Sequence, residues 1–162
     1  MLKKFLRILL ITSCFSLLFS GFVFASSNNP NMQKPAEVEI IYIDGKTYYL
    51  ETIISDVGID QKSITPTRGS ITRTKTSHLY NSAGVIMISV SVTGTFTYNG
   101  STAVCTSCSG SSVSYNSAWV ITDYYTSSSG NSATNYTTAV QANTYTWHKN
   151  VTITCSANGT IS

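Results

Sequence analysis

The stretch IMISVSVTGTFTY, residues 86–98, decides the fold. Ile86, Ile88, Val90, Val92, Gly94, Phe96 and Tyr98 alternate with Met87, Ser89, Ser91, Thr93, Thr95 and Thr97. A period of two with one apolar face is the mark of a half-buried β-strand. At about 3.3 Å per residue such a strand runs past ~40 Å, more than a small sandwich needs, so Gly94 is the expected place for a bulge or bend.

Downstream, Asn99-Gly100 predicts a two-residue type I′ turn. That register sets Tyr98 against Ser101, Phe96 against Ala103 and Gly94 against Cys105. Opposed residues share a sheet face, so Cys105 points inward and Cys108 outward. Further strands are expected at residues 113–121, with Val113, Tyr115, Trp119 and Ile121 inward, and at 133–142. A last strand at 151–157 places Val151, Ile153, Cys155 and Ala157 on one face. The run SSSGN at 127–131 supplies a turn. Several strands divided by Gly, Ser and Asn turns, with almost no helix-period segment, predict an all-β, antiparallel Ig-like β-sandwich over residues 70–162. Its size is close to the roughly 100 residues of such a domain.

Upstream, VEIIYI, Asp44-Gly45 and KTYYL form a hairpin signal over residues 38–50. Residues 26–36 read as a flexible tail, and 55–69, with Gly58, Pro66 and Gly69, as a linker. Residues 26–69 are therefore expected to be a tail, an acidic β-hairpin and a linker ahead of the main domain. Glu37, Glu39, Asp44, Glu51, Asp56 and Asp60 precede residue 61, and Lys62, Arg68, Arg73 and Lys75 follow, so the two stretches are expected to pair.

The N-terminus carries Lys3, Lys4 and Arg7, then a charge-free and mostly apolar run to Phe24, then Val23-Phe24-Ala25. This is a signal-peptide pattern over residues 1–25 with the cut between Ala25 and Ser26. An uncleaved anchor and a lipobox at Cys14 are the competing readings, and Thr12, Ser13, Ser16, Ser20 and Gly21 dilute the run for the anchor. Export implies a secreted, extracellular chain. The formal charge of +3 comes wholly from the leader, since seven basic residues then face seven acidic ones. Nucleic acid and anionic membrane, which need clustered positive charge, are not the partners such a surface suggests. Past residue 75 only Asp123 and Lys149 are charged. The surface there must be Ser, Thr, Asn and Tyr, which suits an ordinary β protein and also an uncharged partner such as a glycan or cell-wall polymer.

The exported chain keeps Cys105, Cys108 and Cys155. Cys105 and Cys155 fall on inward faces and are expected to form a disulfide, leaving Cys108 a free thiol. Closing a loop of about 50 residues would stabilise by roughly 4 kcal/mol. A Cys105/Cys108 redox pair lacks a helix N-terminus to lower its pKa. A zinc site from the three cysteines and His148 is the other alternative. No catalytic, metal or cofactor set is recognisable. There is no nucleophile elbow, His78 and His148 have no spaced partner, and Asp123 is the lone acid past residue 60. An acid from the hairpin reaching Asp123 would be the route to a hydrolase, which needs two carboxyls. Among many aromatics, Trp119 reads as core, while Tyr124, Tyr125, Tyr145 and Trp147 fall near loops as a candidate ligand-stacking platform.

The segments TGTFTYNG (93–100), SGNSA (129–133) and VTITCSANG (151–159) resemble uncharacterised small secreted β-rich proteins of Gram-positive bacteria. The resemblance spans about residues 70–162 and implies origin and export, with no activity attached. The expected function is a secreted non-catalytic protein that binds or decorates an extracellular surface. The alternatives are an antibacterial, toxin-like protein with residues 26–68 as an acidic pro-segment, and a secreted hydrolase.

Overall fold

Among the described residues, alternating side chains produce eight strands in chain order: β1 (Pro35–Ile43), β2 (Lys46–Asp56), β3 (Gly69–Asn81), β4 (Ile86–Tyr98), β5 (Ala103–Ser114), β6 (Trp119–Ser129), β7 (Ser132–Gln141) and β8 (Tyr145–Thr154). The computed structural model describes residues 35–56, 68–142 and 144–162. The expected leader, the Ala25/Ser26 cut, the tail up to residue 34 and most of the linker lie outside the described residues.

Strands β1 to β5 form one antiparallel sheet in sequence order, and β6 to β8 form a second. Each strand lies beside its sequence neighbour, so both sheets are meanders, whereas an immunoglobulin sandwich uses Greek-key connections. The core sits between the sheets. Ile88, Val90, Val92 and Phe96 of β4 and Leu79 of β3 meet Ala133, Ala139, Trp147, Val151, Ile153 and Cys155 of the second sheet, all buried. Each large side chain so buried contributes roughly 1.5–3 kcal/mol.

The Asp44-Gly45 turn forms as expected, with φ of 49° and 69°. The hairpin it closes is part of the larger sheet. β2 pairs with β3 from Tyr48↔Asn81 to Asp56↔Arg73, and Ile43, Tyr48 and Leu50 are buried in the common core. β3 had no apolar alternation to announce it. Thr72, Thr74 and Thr76 lie on one face, and the other interleaves Ile71 and Leu79 with Arg73, Lys75 and Ser77.

Two expectations about β5 are corrected. The link from β4 spans residues 99–102, because Oδ1 of Asn99 accepts from the N–H groups of Ser101 (3.0 Å) and Thr102 (2.8 Å) and holds a wider loop. The register becomes Tyr98↔Ala103, Phe96↔Cys105 and Gly94↔Cys108, with a bulge at Thr106. The extra residue turns Cys108 to the same face as Cys105. Nor do residues 113–121 form one strand. Ser114 Oγ lies 2.9 Å from the carbonyl of Asn116 and 2.8 Å from that of Trp119, its single proton shared between them, and this holds a turn where the chain passes from one sheet to the other. Val113 and Tyr115 are consequently exposed, while Trp119 is buried edge-on to Tyr48.

Asn135 of β7 ties the layers together. Its fully buried amide donates to the carbonyls of Ser91 (2.9 Å) and Ser111 (3.1 Å) on the opposite sheet.

Candidate functional site on the outer face of the three-stranded sheet

The turn Gly130-Asn131 is two residues long, and this alone sets the pairing Ser129↔Ser132, Ser127↔Thr134 and Tyr125↔Tyr136. Ala133, Asn135, Thr137 and Ala139 of β7 are buried, so the alternate residues Thr134, Tyr136, Thr138 and Val140 form the outer face. The rings of Tyr125 and Tyr136 stack with centroids 4.7 Å apart and planes 14° from parallel. Tyr125 is 56% exposed.

Around this pair the register lays out polar rows. Tyr136 faces Asn150 on β8, and Thr138 faces Asp123 on β6 and His148 on β8. Thr138 Oγ1 and His148 Nδ1 lie 3.1 Å apart, and the hydroxyls of Thr134 and Thr152 2.9 Å apart. Asp123 reaches this face through a bulge between Ile121 and Asp123. Unbroken alternation from Ile121 would have sent it inward.

Of the four aromatics expected to form a platform, only Tyr125 lies on this face. Trp147 is 7% exposed and packs edge-on against Trp119 in the core. Tyr145 pairs with Gln141 on the inner face, where it packs against the core. Tyr124 pairs with the buried Thr137 and is 52% exposed because β6 is an edge strand. Tyr136 takes their place. The signal for it was in the sequence, because a two-residue turn at Gly130-Asn131 opposes 125 with 136.

Among the described residues no disulfide forms: Cys105, Cys108 and Cys155 are free thiols. The expected Cys105–Cys155 bond rested on both residues facing inward, which they do, yet no bond joins them. Cys105 N–H donates to the carbonyl of Gly130 (2.7 Å) and Cys155 N–H to that of Asn131 (3.0 Å), so each is tied to a different residue of the β6–β7 turn. Their sulfurs turn to local carbonyls, Ser107 for Cys105 (3.3 Å) and Ser156 for Cys155 (3.4 Å). Burial pushes both thiols up in pKa. That is opposite to the shift a reactive thiolate needs. His148 lies on the outer face and the cysteines on the inner side, so the four residues of the zinc reading do not converge.

The row nearest to a catalytic triad is on the other sheet, where Glu51, His78 and Ser89 stand in register on β2, β3 and β4. Glu51 instead accepts the Tyr80 hydroxyl at 2.8 Å, and His78 Nδ1 is buried with no partner. The hydrogen bond by which an acid orients a base is not made. Burial holds His78 below its usual pKa, with Glu51 opposing, and burial plus Glu51 push Tyr80 up to about 12. The rest of that outer face is a hydroxyl array, including Thr72–Thr95 (2.9 Å) and Thr74–Thr93 (2.7 Å) pairs that satisfy one another.

The Tyr125/Tyr136 face therefore brings together aromatic surface, one carboxylate, an amide, an imidazole and hydroxyls. Comparison with protein-family models, curated proteins and solved structures returns no match, so this face is read on its geometry alone.

Proposed function

We propose that the chain is an exported, non-catalytic β-sandwich protein that binds a neutral, polyhydroxylated polymer, a glycan or cell-wall polysaccharide, at the outer face of its three-stranded sheet. The N-terminal pattern of basic, apolar and small residues supports export. The observation that carries the ligand class is the stack of exposed Tyr125 on half-buried Tyr136, with Asp123, Thr138, His148 and Asn150 on the adjoining positions.

Sugar rings have apolar faces and hydroxyl rims. An aromatic ring offers the apolar match. Carboxylate, amide and hydroxyl groups offer acceptors and donors for the rim. A single carboxylate on this face does not favour a polyanion. The two-layer meander serves as a scaffold that holds this outer face. The test is co-sedimentation of the exported chain with insoluble, neutral wall polysaccharide. Tyr125→Ala and Tyr136→Ala should each weaken retention roughly tenfold, the equivalent of about 1.4 kcal/mol. Retention unchanged in both variants, or none in the parent chain, would remove the proposal.

A further inference from the structure

β1 ends the five-stranded sheet, and among the described residues no strand pairs with its outer backbone edge. On one face of it Val38, Ile40 and Tyr42 are 48%, 55% and 74% exposed. Edge strands are ordinarily protected by a charge, a proline or a bulge. The other edges carry such devices. β6 has its bulge before Asp123, β8 has His148 and Lys149, and β5 gives the Cys105 N–H to Gly130. In β1 the proline and the register shift lie at the Pro35 end, the charges of Glu37 and Glu39 lie on the face away from the apolar row and interact with Lys149 of β8, and residues 37–43 pair regularly with β2.

We infer that β1 pairs antiparallel with β1 of a second copy about a two-fold axis at Ile40, joining two five-stranded sheets into one. The sequence EVEIIYI selects this register. Centred on Ile40, it sets Ile40 against its own copy, Val38 against Tyr42, Glu39 against Ile41 and Glu37 against Ile43. Apolar side chains then cover one another on the outer face, and no carboxylate meets another. Centred on Glu39, the two Glu39 side chains collide. Centred on Val38, Glu37 meets Glu39, and like charges directly opposite destabilise a sheet. Centred on Ile41, Val38 is left against Asp44. A self-complementary contact of this kind closes as a dimer. It leaves the Tyr125/Tyr136 face on the other sheet free and does not depend on that reading.

The experiment is light scattering of the chain beginning at Ser26 over a wide concentration range. A monomer–dimer equilibrium is expected. Ile40→Lys and Ile40→Glu should each raise its dissociation constant at least tenfold by opposing like charges at the axis, and an equal mixture of the two should recover a mixed dimer. Ile40→Thr, which keeps strand propensity without the apolar bulk, should weaken association by a smaller factor and serves if the charged variants fail to fold. A parent chain of monomer mass throughout overturns the proposal, as it would if the edge were covered by residues 26–34 or reserved for another protein. A dimer indifferent to all three variants also overturns it, and loss without recovery on mixing overturns the register centred on Ile40.

Discussion

Asn135 is a fully buried amide that hydrogen-bonds across the two sheets. In the sequence it is one polar position between Ala133 and Thr137, and only its Asn-x-Thr pattern stands out. In the fold it is fully buried and spans from β7 to carbonyls on β4 and β5. Removing it leaves those carbonyls without this donor, so Asn135→Ala should lower stability by about 2–3 kcal/mol in urea unfolding. Gly110 makes the approach possible, since a Cβ there would lie 2.9 Å from Asn135 Cγ and also strike Thr126. Gly110→Ala should cost about 1–3 kcal/mol in the same assay. His78 gives a pH signature. Its folded pKa lies below the unfolded value of 6.5 because burial disfavours the charged ring. The unfolded chain therefore binds more protons as pH falls through 6.5, and stability drops in that window. His78→Gln should remove that part of the acid slope. Tyr80 acts at the other end. With its pKa raised from 10.0 to about 12, the unfolded chain ionises first, so stability declines as pH rises above 10, and Tyr80→Phe should lessen the decline.

At the scale of elements, the turns divide what sequence can and cannot tell. Asp44-Gly45 and Gly130-Asn131 are two-residue turns, and their registers follow from counting. Asn99-Gly100 carries the same signal, yet the Asn99 side chain binds two following N–H groups and widens the loop. One bulge later, both cysteines of β5 share a face. Periodicity is blind to both events, because a shift of two and then of one depends on side-chain hydrogen bonds and local twist rather than on apolar spacing. The inward strand of 86–98 was legible because its apolar alternation is strong, whereas the strand expected at 151–157 meets only the last part of β8, Tyr145–Thr154, whose first half the alternation did not announce. β3 was hidden by charged and hydroxyl residues on a face that is only half buried. The consequence for the thiols can be measured. The native chain from Ser26 should yield three alkylatable cysteines under denaturing conditions with or without prior reduction. In the folded state Cys155, fully buried, should react last. Finding one thiol instead of three without reductant would restore a disulfide.

For the whole molecule, the two meanders share one core, and the N-terminal hairpin belongs to it. Tyr48 donates no free edge there: its hydroxyl accepts from Gln141 at 3.0 Å and its ring packs on Trp119. Loss of residues 26–68 would uncover Leu79, now fully buried, and should unfold the remainder, a result thermal melts of the truncated chain would show. The second sheet then presents its outer face as a rigid array, built by a tight turn, a bulge and a cross-strand tyrosine pair. Two-dimensional NMR of the labelled chain with a soluble, neutral wall oligosaccharide tests this placement most directly. Shift changes confined to Asp123, Tyr125, Tyr136, Thr138, His148 and Asn150 are the expected result, and changes centred on the opposite sheet, or none at saturating sugar, would contradict it.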